Sequence, residues 1–350
     1  MEPLTLIGAP PSPYTRKMIA LMRYRHIPYN IIWGDPQGML SGELKNLNIQ
    51  PPKPALLPTF ILPDEKGILK AETDSTPLIR RFEREYENRK CLPTDPALNF
   101  LNFLLEDYAD EWVTKFMFHY RWHFAEDADN AGTLLPLAQA TNLPDEFHQT
   151  AKKYIAERQI ERLRVVGSNE TTAPIIEASY KRFLTILESH FQNLPFLFGQ
   201  RASSADFGLY GQLSQLIGFD PTSRKLAHDL SPRTVAWVSV IEDISGLDMT
   251  EEGWSKVEEL PSSIKDLLEE VGKGYVPALL ANQEAHEKGE KTWEAEIDGC
   301  TWVQQTFPYQ VKCLKWINEE YSKLVEVDKK RINSLFEGTG CDKLILNENN

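Results

Sequence analysis

The sequence contains few cysteines, and those it has lie far apart. Its 350 residues include four, Cys91, Cys300, Cys313 and Cys341, and no two of them form a Cys-x-x-Cys pair. This spacing argues against a redox-active dithiol and against a tetrahedral zinc site. Because free cysteine behaves as a small hydrophobic residue, we expect reduced thiols that are mostly buried.

The sequence also lacks an excess of positive charge and any long apolar run. Lys and Arg number 38 against 51 Asp and Glu, which gives a net charge of −13 at pH 7. Binding to nucleic acid or to anionic lipid requires clustered Lys and Arg, so we expect neither as a partner. No apolar run approaches the roughly 20 residues that span a bilayer, and a cytoplasmic location is the default expectation.

The first 90 residues alternate between strand-like and helix-like segments. An apolar run predicts a strand at Leu4–Gly8, and apolar side chains at helical spacing predict a helix over Pro13–Tyr24. Proline is tolerated in the first turn of a helix, so this helix should begin at Ser12. The same reasoning predicts a strand at Tyr29–Trp33, a hairpin at 59–62 and 67–69, and a helix that starts near Ser75.

Beyond a predicted linker at 91–96, the apolar spacing is helical almost throughout. Helices are predicted over 98–124, 145–166, 174–193, 204–217 and 232–244, with further helical pieces at 262–271 and 309–324. A chain of this length exceeds the usual size of one domain, so two are predicted. The first is an α/β unit at 1–90, and the second is an all-α unit at 97–350 that includes an extension from about 247.

Residues 9–17 read Ala-Pro-Pro-Ser-Pro-Tyr-Thr-Arg-Lys. This segment resembles the first strand-to-helix turn of glutathione transferases, above all the serine type of the plant tau enzymes. The resemblance implies a thioredoxin-like first domain that binds glutathione, with Ser12 as the catalytic residue. A serine hydroxyl at a helix N-terminus can donate a hydrogen bond to a thiolate, and the backbone N–H groups favour its negative charge. Taken alone, Ser12 is explained equally well as a helix cap.

Two further segments resemble the glutathione-binding positions of this family. Leu57 and Pro58 resemble the start of its third strand, where a cis proline exposes the preceding backbone to the cysteine of glutathione; a proline that opens an edge strand is the simpler alternative. Asp74 and Ser75 resemble the acidic-Ser pair that meets the ammonium and carboxylate of the γ-glutamyl group. Another helix cap is the alternative there. The resemblance also makes Lys53 a candidate contact of glutathione.

Histidine and aromatic residues cluster near the end of the helix predicted at 98–124. His119 and His123 lie one turn apart, but the acidic residues upstream are more than two turns away and no His-Glu-x-x-His pattern is present, so no metal site is predicted. In the resembled family, the helix that faces the first domain lines the electrophile pocket. The resemblance therefore makes Tyr14, Phe116, His119, Tyr120 and His123 candidate contacts of an apolar electrophile.

The segment around Ser203 and Asp206 resembles the capping box of the family's helical domain. Each residue is expected to satisfy the backbone N–H of the other at a buried helix start, which is a role in folding and not in chemistry. The resemblance covers residues 1 to about 245. The segment at about 125–175 and the extension after about 247 have no counterpart in the ordinary family fold.

These observations together favour a glutathione transferase. Glutathione is the expected substrate, its thiolate is expected to attack a small electrophilic molecule, and no metal or redox cofactor is expected. The alternatives are a glutathione-dependent lyase or reductase and a non-catalytic binding or scaffold protein of the same fold. A lyase or reductase that works by thiol exchange normally uses a protein cysteine where this chain has Ser12. A homodimer is expected from the resemblance, and the extension could cover the acceptor pocket, form a dimer contact or enlarge the core.

Overall fold

The computed structural model describes residues 2–345, and its first part is a four-stranded sheet with helices. The strands are β1 (Leu4–Gly8), β2 (Tyr29–Trp33), β3 (Thr59–Pro63) and β4 (Leu69–Glu72), and the helices are α1 (Pro13–Tyr24), α2 (Pro36–Ser41) and α3 (Ser75–Glu85). The strand order is β2-β1-β3-β4, with β1 parallel to β2 and antiparallel to β3. Strand β4 is antiparallel to β3. This arrangement confirms the thioredoxin-like fold.

Helices dominate from residue 96 onwards, which confirms the predicted helical second part. They are α4 (Pro96–Tyr108), α5 (Thr114–His123), α6 (Ala125–Gln139), α7 (Asp145–Glu161), α8 (Ala173–His190), α9 (Ser204–Gly218), α10 (Pro221–Leu230), α11 (Pro232–Ile241), α12 (Ser262–Glu270), α13 (Val276–Glu287), α14 (Pro308–Ser322) and α15 (Glu326–Phe336). π-helical turns at Ala109–Val113 and Val271–Tyr275 join α4 to α5 and α12 to α13. The sequence did not predict α6, α10, α13, α15 or the hairpin of β5 (Thr292–Ile297) and β6 (Cys300–Gln305).

Helix α1 lies between the sheet and α9, and the two helices approach closely. A Cβ atom on Gly211 of α9 would lie only 2.5 Å from the carbonyl oxygen of Pro13, so this contact requires glycine. Apolar residues of both parts belong to one continuous hydrophobic core. The division into residues 1–90 and 97–350 therefore stays a prediction.

The predicted capping box starts α9. The Ser203 hydroxyl accepts a hydrogen bond from the backbone N–H of Asp206, and the Asp206 carboxylate accepts one of 2.8 Å from the backbone N–H of Ser203. Asp206 also accepts a hydrogen bond from the N–H of Leu197, and burial raises its pKa to about 6. Both residues are fully buried, so they satisfy polar groups inside the core.

The extension after about residue 247 packs into the body of the molecule. Trp302 of β6 is fully buried and lies 5.3 Å, between ring centroids, from Trp112. Gly272 lies so close to Thr339 that an added Cβ atom would be 1.8 Å from the Thr339 carbonyl oxygen. The extension thus enlarges the core, which is one of the three roles that the sequence left open for it. No helix in the described range, 2–345, is long and apolar enough to cross a membrane.

Candidate functional site

Strand pairing brings the predicted glutathione-binding segments to one corner of the sheet. Ile7 near the end of β1 pairs with Thr59 at the start of β3, so Pro58 lies beside the turn that leads from β1 to Ser12. The Thr73 hydroxyl donates a hydrogen bond of 3.3 Å to the carbonyl oxygen of Pro58. The β1–α1 turn, the start of β3 and the start of α3 therefore meet at this corner.

The loop before β3 has the expected backbone conformation. The peptide bond between Leu57 and Pro58 is cis, as the resemblance predicted, and so is the bond between Lys53 and Pro54. Pro58 is buried, Leu57 is half-buried and Lys53 is exposed. The main chain of Leu57 thus lies at the corner, and Lys53 lies on the loop that leads to it.

Ser12 occupies the N-cap position of α1. Its hydroxyl oxygen accepts a hydrogen bond of 3.3 Å from the backbone N–H of Thr15, and its side chain is half-buried. The hydroxyl accepts through a lone pair, so its own proton is still available for donation. Ser12 can therefore cap the helix and donate to an anion at the same time.

Ser75 at the start of α3 contacts a buried lysine from α1. The Lys17 ammonium lies 3.0 Å from the Ser75 hydroxyl oxygen, 3.0 Å from a Glu106 carboxylate oxygen and 2.5 Å from an Asp110 carboxylate oxygen. Ser75 is 8% exposed and Lys17 is fully buried. This ion-pair cluster fixes α3 against α1 and α4, and it uses the hydroxyl that the resemblance assigns to the γ-glutamyl carboxylate.

The charges in this cluster favour a persistent ionic arrangement. Burial opposes the charge of Lys17, but Asp110 and Glu106 outweigh it and raise the Lys17 pKa. Burial likewise opposes the charge of Glu106, but Arg80 and Lys17 lower its pKa to about 2. For Asp110, burial is stronger than the attraction of Lys17 and raises the pKa. Glu106 is thus the permanent anion of the cluster.

Asp74 precedes α3 and contacts the C-terminal extension. Its backbone has a positive φ of 84°, and one carboxylate oxygen accepts a hydrogen bond of 2.8 Å from the hydroxyl of Tyr309 in α14. Burial raises the Asp74 pKa, while the hydrogen bond from Tyr309 and the charge of Lys17 lower it. The acidic residue at the corner is therefore already partnered by the extension.

Helix α5 and the π-helical turn before it face the Ser12 turn through a different set of residues from those predicted. The Tyr14 hydroxyl donates to the carbonyl oxygen of Asp110 at 2.7 Å and lies 3.4 Å from the Thr114 hydroxyl oxygen. Two turns of α5 further on, the Arg121 guanidinium donates to the carbonyl oxygen of Pro11 at 3.0 Å. Tyr14 thus lies beside the Ser12 turn, and its contact with an electrophile stays a prediction.

The other candidate electrophile contacts lie on a different face of α5. The rings of Phe116 and Tyr120 pack on Tyr180 of α8, with centroid distances of 5.7 and 5.0 Å. His119 is fully buried, and His123 stacks on it at 4.5 Å. The helical phase turns this stripe towards α8 and away from the residues of α5 that contact the Ser12 turn. That Phe116, His119, Tyr120 and His123 contact an electrophile stays a prediction.

The environment of His119 is typical of a structural histidine. Its Nδ1 lies 2.8 Å from the Ser168 hydroxyl oxygen, and burial followed by the nearby His123 lowers its pKa to about 3. Within residues 2–345, no group of three or more His, Cys, Asp or Glu side chains is arranged to hold a metal ion.

Sequence reasoning missed Lys17 and Tyr309. A signal for Lys17 was present, because it falls four and seven residues before the buried Leu21 and Tyr24, on the apolar stripe of α1. Its partners Glu106 and Asp110 are one turn apart and belong to the acidic residues upstream of His119, which were weighed only as metal ligands. Tyr309 had no signal, since its contact with Asp74 spans 235 positions.

Fold and site define a protein whose thioredoxin-like domain carries a serine at the first helix N-terminus and a cis proline beside it. Residues 6–90 match the family model of the glutathione S-transferase N-terminal domain. This first part of the chain therefore matches the glutathione S-transferase family, as the resemblance of residues 9–17 predicted. No curated protein sequence matches the chain.

Solved structures with a similar backbone are distant. A beta-etherase from Sphingobium has 18% identity and a TM-score of 0.48, and the match covers 69% of this chain and 95% of that one. A GST-like protein from Pseudomonas syringae has 17% identity and a TM-score of 0.43, with 69% and 67% covered. A glutathione transferase family member from Pseudomonas fluorescens, solved with two glutathione molecules bound, has 15% identity and a TM-score of 0.41, with 69% and 93% covered. These likenesses are too distant to carry an argument about activity.

Proposed function

We propose that this protein is a glutathione transferase that binds glutathione at the corner formed by Ser12, Leu57, Pro58, Asp74 and Ser75. The observation that carries the proposal is the half-buried Ser12 hydroxyl at the N-cap of α1, beside the cis peptide bond before Pro58. A thiolate placed there meets a hydroxyl donor and the positive end of a helix. The reaction is the attack of this thiolate on an electrophilic carbon.

The thiolate is the species that Ser12 would stabilise. A thiol with a pKa of about 8.5 is only about 3% ionised at pH 7, so full ionisation raises the reactive fraction about thirtyfold. This corresponds to about 2 kcal/mol of the activation barrier. The rest of the acceleration comes from holding the two reactants in contact.

Binding of glutathione at this corner would use main-chain and charged groups. The backbone of Leu57 pairs with the cysteine part of glutathione, and Asp74 receives the γ-glutamyl ammonium. Ser75 and the N–H groups at the start of α3 receive the γ-glutamyl carboxylate, with the Lys17 ammonium 3.0 Å from the Ser75 hydroxyl oxygen. Tyr14 is the predicted electrophile contact beside Ser12. Homodimer formation and a cytoplasmic location belong to the same proposal.

A binding protein without turnover is the second candidate. The hydrogen bond from Tyr309 to Asp74 favours it, because the extension then covers part of the corner. Both candidates predict glutathione binding, so turnover separates them. Thiol exchange is disfavoured, since the position that would need a cysteine carries Ser12.

The test compares the wild type with Ser12→Gly and Ser12→Ala. Glycine caps a helix almost as well as serine, with a difference of a few tenths of a kcal/mol, whereas alanine costs about 1 kcal/mol. Ser12→Gly thus removes the hydroxyl and leaves the helix start nearly intact. Binding is measured by titration calorimetry, the pKa of the bound thiol by thiolate absorbance, and turnover with a general aromatic electrophile.

We expect Ser12→Gly to bind glutathione with nearly unchanged affinity, to raise the pKa of the bound thiol towards about 8.5 and to lower turnover about thirtyfold at pH 7. Full turnover by Ser12→Gly would reduce Ser12 to a helix cap. Glutathione binding without turnover by the wild type would leave the binding protein. No glutathione binding by the wild type would exclude both candidates.

A further inference from the structure

The extension places a hydrogen-bond donor on the acidic residue of the glutathione corner. Tyr309 lies in the first turn of α14, and its hydroxyl is 2.8 Å from a carboxylate oxygen of Asp74. In the proposed complex, the same carboxylate receives the γ-glutamyl ammonium. The free protein therefore satisfies Asp74 with a neutral donor from its own chain.

The backbone that carries Tyr309 is held firmly. The fully buried Asn282 of α13 donates from its side-chain amide to the carbonyl oxygen of Phe307 at 3.0 Å, and its amide oxygen accepts from the N–H of Phe307 at 2.7 Å. Directly after Tyr309, the side-chain amide of Gln310 donates a hydrogen bond of 3.2 Å to a Glu111 carboxylate oxygen. These contacts fix the start of α14 on both sides of Tyr309.

The Tyr309 side chain is less constrained than its backbone. Its ring contacts Phe307 and Trp316 at centroid distances of 6.2 Å each, and both Tyr309 and Asp74 are half-buried. Release of Asp74 then requires only a rotation of the Tyr309 side chain, with α14 left in place. An ammonium forms a stronger, charge-assisted hydrogen bond with a carboxylate than a neutral hydroxyl does.

We propose that Tyr309 competes with the γ-glutamyl ammonium of glutathione for Asp74 and thereby sets the affinity of the corner for γ-glutamyl thiols. This inference rests on the proposed function. Tyr309 is a specificity-determining residue that contacts no reacting atom. Each binding event exchanges the bond from Tyr309 for the bond from the ligand, so the apparent affinity is lowered by the strength of the internal bond.

The test is a titration of wild type, Tyr309→Phe and Tyr321→Phe with glutathione and with the dipeptide cysteinylglycine, which lacks the γ-glutamyl group. Phenylalanine keeps the ring contacts of Tyr309 and removes only the hydroxyl. Tyr321→Phe is the matched control, because it also removes a hydroxyl from α14. The Tyr321 hydroxyl donates a hydrogen bond of 2.7 Å to the side-chain oxygen of Asn333. The same proteins are also prepared with Asp74→Asn and titrated in the same way.

We expect Tyr309→Phe to bind glutathione about tenfold more tightly than the wild type, as the loss of one hydrogen bond to a charged group implies. Its affinity for cysteinylglycine should be unchanged, Tyr321→Phe should match the wild type, and the Tyr309→Phe effect should largely vanish in the Asp74→Asn background.

The competing outcomes are distinct. Unchanged or weaker glutathione binding by Tyr309→Phe would overturn the competition while glutathione binding by the protein stands. An equal gain for both ligands would place the effect away from the γ-glutamyl group and overturn it as well. If neither the wild type nor Tyr309→Phe binds glutathione, the proposed function fails and the inference fails with it.

Discussion

The carboxyl group of Asp107 predicts an unusual dependence of stability on pH. It is buried on α4 and accepts a hydrogen bond of 2.5 Å from the hydroxyl of Tyr275. Burial raises its pKa from 3.8 to about 7, and the hydrogen bond from Tyr275 acts in the opposite direction. The nearby carboxylates of Asp110 and Glu106 add to the increase. Asp107 therefore keeps its proton in the folded protein well above the pH at which an exposed aspartate loses it.

The sign of the effect follows from proton uptake. Between about pH 4 and about pH 7 the folded state binds this proton and the unfolded state does not, so stability falls as pH rises, by at most about 1.4 kcal/mol per pH unit. Below this range both states are protonated and Asp107 contributes nothing. Above it the whole penalty is present, and the difference between 3.8 and about 7 sets an upper limit of about 4 kcal/mol.

The perturbation is Asp107→Asn, which cannot ionise and whose side-chain oxygen can still accept from Tyr275. Urea unfolding should give equal free energies for the variant and the wild type at about pH 4, and a variant more stable by about 2–4 kcal/mol at about pH 8.5. Asp248→Asn, on an exposed loop, is the control and should change little at both values. Equal stability of Asp107→Asn and the wild type at the higher pH would refute the reasoning.

Three predictions concern α9. Gly211→Ala places a methyl group against the carbonyl oxygen of Pro13 and should lower the free energy of unfolding by about 1–3 kcal/mol. It should also lower turnover, because Ser12 adjoins Pro13. At Gly218 an added Cβ atom meets nothing within 4 Å, so Gly218→Ala should instead raise the free energy of unfolding by up to about 1 kcal/mol. A Gly211→Ala protein as stable as the wild type would disprove the close approach. Ser203→Ala should lower stability by about 1–2 kcal/mol in denaturant unfolding, and an unchanged midpoint would mean that the capping box contributes nothing.

Local features of the first domain were readable from the sequence because short-range chemistry determines them. Helix α1 begins and ends where predicted, since Ser12 caps it, Pro13 suits its first turn and its apolar stripe ends at Tyr24. The capping box of α9 also depends on residues close in sequence, whereas the cis bond before Pro58 was predicted only through the resemblance. The roles of Ser12 and Ser75 stay predictions, because geometry alone does not separate a cap from a binding group.

The hairpin in the extension was missed although its signal was present. Side chains of β5 alternate between buried and exposed, with Trp293 and Ile297 buried and two glutamates between them exposed. The strand is followed by Asp298 and Gly299, which both have positive φ. An Asp-Gly pair is a strong signal for a two-residue hairpin turn. A search for period-two alternation beyond residue 247 would have found it.

Other features could not be predicted because they depend on tertiary packing. The stripe of Phe116 and Tyr120 has the spacing of a helix face, but spacing does not say which neighbour that face contacts; only the contact between Arg121 and Pro11 fixes the rotation of α5. The bond between Tyr309 and Asp74 joins two polar residues with no shared pattern.

That bond also has a consequence for the order of events during synthesis. Tyr309 is translated 235 residues after Asp74, and at about 5–20 residues per second the ribosome needs about 10–50 s to reach it. For that interval the nascent chain carries Asp74 without the bond from Tyr309. If Tyr309 competes as proposed, glutathione binds the growing chain more tightly than the finished protein and stabilises it by mass action. Under the two proposals together, glutathione would then assist folding before it occupies the finished corner.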